Sequence, residues 1–159
     1  MQYTSLDNLL KHQIVNNELY SFQIVSILLA LENFADINDF GIKSYHGWIK
    51  SRNKRKPFQS TIDLAILSRS FQINGFNKDF PLELDPDDLM MNGGTHRTAC
   101  CIFYGIEQIP YTLRARTGKT KLTPKYYGLN YFKDSIFFND KVVEEMQSRW
   151  DMILKARNL

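Results

Sequence analysis

Apolar residues recur at helical intervals over most of this chain and shorten to strand-like runs in its middle, and that change of period organises the reading. Thr4-Ser5-Leu6-Asp7 has the Ser/Thr-x-x-acid spacing of a helix start, and Leu6, Leu9 and Leu10 follow it, so a short first helix is predicted. A second helix, from about Asn17 to Asn33, carries Leu19, Phe22, Ile24, Val25, Leu28 and Leu31 too continuously to leave a wide polar face. It belongs to the core. Ser60-Thr61-Ile62-Asp63 repeats the capping spacing, and Ile62, Ala65, Ile66 and Phe71 continue a third helix to Gly75, which suits a left-handed C-cap.

The stretch from Ala35 to Phe58 lacks a clean period, and Gly41, Gly47 and Pro57 punctuate it, so it reads as a connecting loop anchored by Trp48. Phe80 to Leu84 and Leu89 to Met91 read as two short strands around an Asp85-Pro86-Asp87-Asp88 turn, a hairpin. Ala99, Ile102, Phe103 and Ile106 form a helical stripe, and Ile109 to Leu113 is a further strand beyond Gly105. The C-terminal part sets Tyr126, Tyr127, Tyr131, Phe132, Phe137 and Phe138 before a helix from about Lys141 to Arg157. Such large rings gain most from simple burial, so they are assigned to packing.

Length and composition limit the classes. The 159 residues, 43% hydrophobic and 13% aromatic, suit one core domain with extensions rather than a disordered chain. No run reaches the ~18 apolar residues of a membrane span. The N-terminus lacks the charged-then-apolar layout of a secretory signal, so the expected location is the cytoplasm. Cys100 and Cys101 are adjacent in a predicted helix, their side chains about 100° apart, and are expected as two packed thiols. With two Cys and three His, neither a four-thiolate zinc site nor a CxxC motif can be assembled.

Net charge is +3 and unevenly spread. Lys50 to Lys56 ("KSRNKRK") and Arg114 to Lys125 ("RARTGKTKLTPK") each hold five basic residues within acid-free intervals. Either block alone is consistent with a solvated surface. Between them lies Met91 to Gly105, "MNGGTHRTACCIFYG", two glycines entering a helix whose first turn carries His96 and Arg97. Glycines there let backbone N–H groups approach a ligand, and the unpaired donors of a helix N-terminus attract anions. Arg97 would fork onto phosphate oxygens and His96 would add a bond, with Thr95 capping the helix or adding a hydroxyl. The bland alternative is a turn whose His satisfies a carbonyl and whose Arg covers the sheet edge.

The segment "FPLELDPDDLMMNGGTHRTACCIFYGIEQIPYTL" resembles the one shared by the ParB and sulfiredoxin superfamily: a short hairpin, a Gly-x-His/Arg-Arg turn, an Ala-containing helix, a Gly and a Pro-marked strand. Upstream, "RNKRKPFQSTIDLAILSRSFQINGF" is similar to that family's basic Pro-Gln box and following helix. Together these cover Arg52 to Leu113. The resemblance implies an α+β fold, a small ParB/sulfiredoxin-like mixed sheet with packed helices, spanning 51–116. Residues 1–50 would then be an N-terminal helical extension, and 117–159 a basic loop with an aromatic and helical extension. It further implies nucleotide binding with the phosphates on the turn. Sulfiredoxins carry a reactive Cys where Thr95 stands, which argues against thiol repair. The family's free-serine kinases carry Asp-Gly-His-His-Arg against Gly93-Gly94-Thr95-His96-Arg97, and a catalytic Glu upstream where Gly47 to Ile62 has no carboxylate.

The expected function is therefore a nucleotide-binding phosphotransferase, a kinase of a small-molecule alcohol such as an amino acid or sugar, using ATP or ADP with Mg²⁺. Its phosphate contacts are expected from Gly93, Gly94, Thr95, His96 and Arg97, with Arg55 and Lys119 from the basic blocks. His96, Asp63 and Asp88 are the catalytic candidates, since phosphoryl transfer needs a group to orient the hydroxyl. Asp is also favoured at helix caps and turns, the other reading of Asp63, Asp87 and Asp88. Gly118-Lys119-Thr120 is not a Walker A loop, because Leu113 stands where that motif needs Gly. Two alternatives stay open: a ParB-like nucleic-acid-binding protein that binds CTP or ATP, and a non-catalytic interaction protein.

Overall fold

A computed structural model of the chain describes residues 1–15, 17–34, 40–52, 57–116 and 128–159. In chain order the elements are β1 (Gln2–Ser5), α1 (Leu6–His12), β2 (Ile14–Val15), β3 (Glu18–Leu19), α2 (Gln23–Glu32), α3 (Phe40–Arg52), α4 (Pro57–Asn74), β4 (Leu82–Leu84), α5 (Thr95–Tyr104), β5 (Gln108–Leu113), α6 (Leu129–Lys133) and α7 (Asp140–Arg157). The architecture is mixed α+β. Among the described residues the main sheet has three strands in the order β1-β5-β4. β1 runs antiparallel to β5, pairing Gln2 with Tyr111 and Ser5 with Gln108, and β4 runs parallel to β5, pairing Leu82 with Tyr111. A parallel neighbour needs a crossover, and α5 supplies it. None of the described helices is long and apolar enough to cross a membrane.

Three elements depart from expectation for physical reasons. The first helix starts one residue later than its capping spacing suggests, with Ser5 accepting from the Asn8 N–H, because Gln2–Ser5 is claimed as an edge strand by β5. The second helix begins at Gln23 rather than Asn17, which sits at φ 63° and turns the small β2–β3 hairpin. The stretch read as a loop is largely helix α3. Its glycines looked like punctuation, yet Ile42, Tyr45, Trp48 and Ile49 are buried at helical spacing. Gly47 lies inside it because a Cβ there would stand 2.6 Å from the ring of Phe137. Trp48 does anchor the segment, packing on Phe132 with ring centroids 5.9 Å apart and donating to the Tyr131 hydroxyl.

Helix α2 is the centre of the core, buried from Ile24 through Leu31 and packed against α3, α5 and α7. Further contacts run from α3 to α4 and from α4 to α5, closing a helical layer around α5. Of the aromatic set, Phe132 and Phe138 are buried against one another, whereas Tyr126 and Tyr127 lie outside the described residues. Arg157 near the end of α7 reaches Asp7 of α1 and Glu107 before β5, and Arg149 pairs with Glu32 of α2. The C-terminal helix is thereby tied to both the sheet and the core.

The link that sets the middle of the chain is a buried amide. Gln13, with no exposed surface, donates through Nε2 to the Leu9 and Leu89 carbonyls and accepts at Oε1 from the Met91 N–H. Its backbone is paired too, with Leu10 and Tyr20. The expected hairpin survives as a tight turn: Asp85 N–H donates to the Met90 carbonyl, Leu89 takes φ 57°, and Leu84 bridges to Met91. β4 starts at Leu82 and not at Phe80 because the Phe80 and Pro81 carbonyls are taken by Arg97.

Replacing Gln13 by Leu keeps the bulk but strands the Met91 N–H and the Leu89 carbonyl in the interior. Each orphaned group costs about 1–3 kcal/mol, so urea denaturation is expected to show a loss of about 3 kcal/mol. A loss below about 1 kcal/mol, no more than a single ordinary hydrogen bond contributes, would mean the amide is not what holds this turn.

Candidate functional site

The glycine turn leads from the end of the parallel strand β4 into α5, the side of a parallel unit where ligands bind in open α/β sheets. Asn92 fixes its start: its N–H donates to the Glu83 carbonyl and its side-chain amide to the Arg114 carbonyl. Gly94 then takes φ 96°, a left-handed conformation, and is itself the N-cap of α5. Thr95 therefore does not cap the helix; it is the first helical residue, and among the described residues the N-cap makes no side-chain bond. The first helical bond joins the Thr98 N–H to the Gly94 carbonyl, which leaves the N–H groups of Thr95, His96 and Arg97 outside the ladder.

The two glycines differ. A Cβ on Gly94 would stand 2.5 Å from Leu82 and 3.3 Å from the Arg97 guanidinium, whereas no described residue lies within 4 Å of one on Gly93. Gly94 is demanded by packing and by its φ angle. Gly93 leaves open space above the turn.

His96 and Arg97 are consecutive on α5 and so point about 100° apart. Arg97 turns back toward the sheet, donating through Nη1 to the Phe80 and Pro81 carbonyls, the latter at 2.8 Å. Burial holds its guanidinium below the ordinary arginine value, with Glu83 acting in the opposite sense. In this arrangement the side chain supports the entry to β4, and the expected fork onto a phosphate is limited to its remaining Nε and Nη2 donors. His96 points the other way. Its Nε2 lies 2.8 Å from the Tyr45 hydroxyl of α3, with the rings edge to face at 78°. Burial lowers the His96 pKa and raises that of Tyr45, to which the Asp63 charge adds.

These side chains line a cavity of about 190 Å³. Tyr45 and Ile49 come from α3, Ser60, Asp63, Leu64 and Leu67 from α4, and His96 from the first turn of α5. The structure thus brings together Asp63 and His96, two of the three catalytic candidates. Asp63 is not a helix cap, because α4 already begins at Pro57; its Oδ1 accepts from Gln59 at 2.9 Å, and it has no ion pair among the described residues. Asp88 is elsewhere: its carboxylate accepts from the Met90 N–H, pairs with Arg116 and does not line the cavity. It is a turn former, as Asp at this position can be from sequence alone.

The basic blocks are only partly in view. Arg55 and Lys119 lie outside the described residues. Arg114 pairs with Glu83, and Arg116 with both Asp85 and Asp88, so these two charges of the second block are balanced within the fold. Cys100 and Cys101 are wholly buried, which pushes both thiols up to about 12. Thiols at that value are not nucleophiles near neutral pH. Among the described residues no cluster of three or more His, Cys, Asp or Glu is placed to hold a metal.

Tyr45 does not stand out in the sequence, because Gly41 and Gly47 give its segment the pattern of a loop. The signal was present in the spacing of Ile42, Tyr45, Trp48 and Ile49, which Gly41 and Gly47 masked.

Two outcomes follow from this geometry. Gly94→Ala is expected to lose about 1–3 kcal/mol in chemical denaturation through its φ angle and the Leu82 contact, while Gly93→Ala stays close to the parent; equal losses would refute the distinction. Asp85 supplies a pH dependence. The Asp87 N–H, with the Arg116 N–H and charge, holds its carboxyl below the usual value against the opposing effect of burial. The stability it contributes is complete above the ~3.9 of an unfolded aspartate and is lost as pH falls through the folded value. Asp85→Asn should flatten this acid limb in pH-dependent melting curves.

No protein-family model matches this chain, and no curated protein or solved structure matches it either.

Proposed function

We propose that this protein is a nucleotide-binding phosphotransferase, a kinase acting on the hydroxyl of a small molecule with ATP or ADP as donor. The observation that carries the proposal is the convergence of Asp63, Ser60 and His96 on one small cavity beside the uncapped first turn of α5. The resemblance of Arg52 to Leu113 to the ParB and sulfiredoxin superfamily agrees with it.

The division of labour follows from size and charge. A cavity of about 190 Å³ is smaller than the ~300–1,000 Å³ of typical ligand sites, so it suits the acceptor and leaves the nucleotide outside. The donor phosphates lie against the N–H groups of Thr95 to Arg97, over the open space at Gly93, where the helix N-terminus carries roughly half a positive charge. Asp63 accepts the proton of the acceptor hydroxyl as that oxygen bonds to the terminal phosphorus and the phosphoanhydride bond breaks. Asp63 is the one carboxylate in the cavity lining and is used here as the proton acceptor, so Mg²⁺, which commonly keeps several waters and substrate phosphates as ligands, would come with the nucleotide. When bound, the ion neutralises charge on the phosphates.

Isothermal titration with ATP, ADP and CTP, with and without Mg²⁺, tests the reading. A dissociation constant within about 1 µM–1 mM for at least one nucleotide is expected. Asp63→Asn should keep most of that affinity and lose about 10²-fold or more in turnover with a small alcohol acceptor. Absence of heat with all three nucleotides would end the proposal. Preferential binding of CTP, with DNA affinity falling steeply in salt, would replace it with the nucleic-acid reading. Nucleotide binding without transfer to any hydroxyl compound would leave an interaction protein.

A further inference from the structure

We propose that Tyr45 is a positioning residue that locks His96 as a neutral imidazole with its proton on Nδ1, so that His96 serves the cavity as a hydrogen-bond donor rather than as a base. What that donor is used for rests on the phosphotransferase reading; the lock itself rests on geometry.

The hydrogen bond has ordinary length, and its tyrosine is buried. Tyr45 Oη lies 2.8 Å from His96 Nε2, and Tyr45 is 1% exposed. Its direction follows from the two groups. A phenol O–H is the better donor and an imidazole nitrogen the better acceptor, so Tyr45 donates and Nε2 accepts. Nε2 is then occupied and unprotonated, and a neutral imidazole must carry its one proton on Nδ1. No described residue takes a hydrogen bond from that nitrogen, and His96 lines the cavity beside the glycine turn.

The surroundings favour the neutral form. Among the described residues, α4 contributes the Asp63 carboxylate, which alone would favour an imidazolium. Arg97, next on α5, opposes it with a positive charge but faces the Phe80 and Pro81 carbonyls. On α3, Lys43 and Lys50 are exposed, and His46 is bonded to Thr61. The buried stretch of α2, packed against both α3 and α5, brings only apolar side chains and Ser26. Burial outweighs the single carboxylate and keeps the ring uncharged. A neutral donor suits an oxygen that gains negative charge during transfer, and it leaves Asp63 as the proton acceptor.

The test is long-range ¹H–¹⁵N NMR of the ¹⁵N-histidine-labelled full-length chain over a pH series, with His96 assigned by its loss in His96→Gln. The expected spectrum shows a protonated Nδ1 and an unprotonated Nε2 at neutral pH, with a midpoint below the ~6.5 of an ordinary histidine. Tyr45→Phe keeps the ring packing and removes the donor. It should shift the tautomer balance toward Nε2–H and raise the midpoint by several tenths of a pH unit, roughly the effect of one neutral hydrogen bond. A merely structural tyrosine would change stability and leave the tautomer alone. Two results overturn the inference: a parent spectrum with the proton on Nε2, which needs no variant, or a folded Tyr45→Phe with the parent's tautomer and midpoint. A chain that binds no nucleotide but shows the lock retains Tyr45's role and loses only the proposed function.

Discussion

The arrangement around the glycine turn depends on the buried Gln13 amide, which ties the first helix to the turn after β4. Its partners Leu9, Leu89 and Met91 belong to the first helix and to the turn after β4, separated by 76 and 78 residues in the two long-range bonds. A buried amide is stable only with its hydrogen bonds made, so the contact tolerates little displacement. Because Met91 leads directly into Asn92, Gly93 and Gly94, the position of α5's first turn is inherited from an N-terminal residue. Leu89 at φ 57° and Asp85, bonded to the Asp87 and Arg116 N–H groups, complete the same turn.

From that anchor the two neighbouring basic residues of α5 take opposite parts. Arg97 reaches back to carbonyls ahead of β4, where its charge supports the strand's start. His96 reaches forward to Tyr45 and the cavity. Sequence neighbours on a helix diverge by about 100°, so a motif read as one phosphate-binding unit divides into a supporting residue and a site residue. The cavity is small and mixed in character because α3 and α4 line it with Ile49, Leu64 and Leu67 while Ser60, Asp63 and His96 supply polar groups.

Much of the fold is legible in the sequence where a local signal and its tertiary use coincide. The continuous apolar run of α2, the left-handed Gly75 and Gly105 at helix ends, the crossover helix after Gly94 and the long α7 are all visible as periodicity or capping. The candidate site is legible in part: Asp63 and His96 stand out by their chemistry, and both line one cavity. Asp88 stands out on the same grounds, but Arg116 and its own turn hold it. Tyr45 was missed because Gly47, which normally weakens a helix, is retained in α3 to admit the Phe137 ring.

The sequence by itself determined the apolar run of α2, the glycine that ends α4, and that two cysteines and three histidines build neither a four-thiolate zinc site nor a CxxC motif. Those are properties of composition and of a residue's near neighbours. The tertiary structure decided that Gln2–Ser5 is a strand, that Gly47 is kept inside α3, and that Tyr45, Asp63 and His96 share one cavity. Each of these rests on partners far along the chain: β5 for the first strand, Phe137 and Phe132 for α3, and three separate helices for the cavity. Such contacts have no local period, and only the folded arrangement brings them within reach.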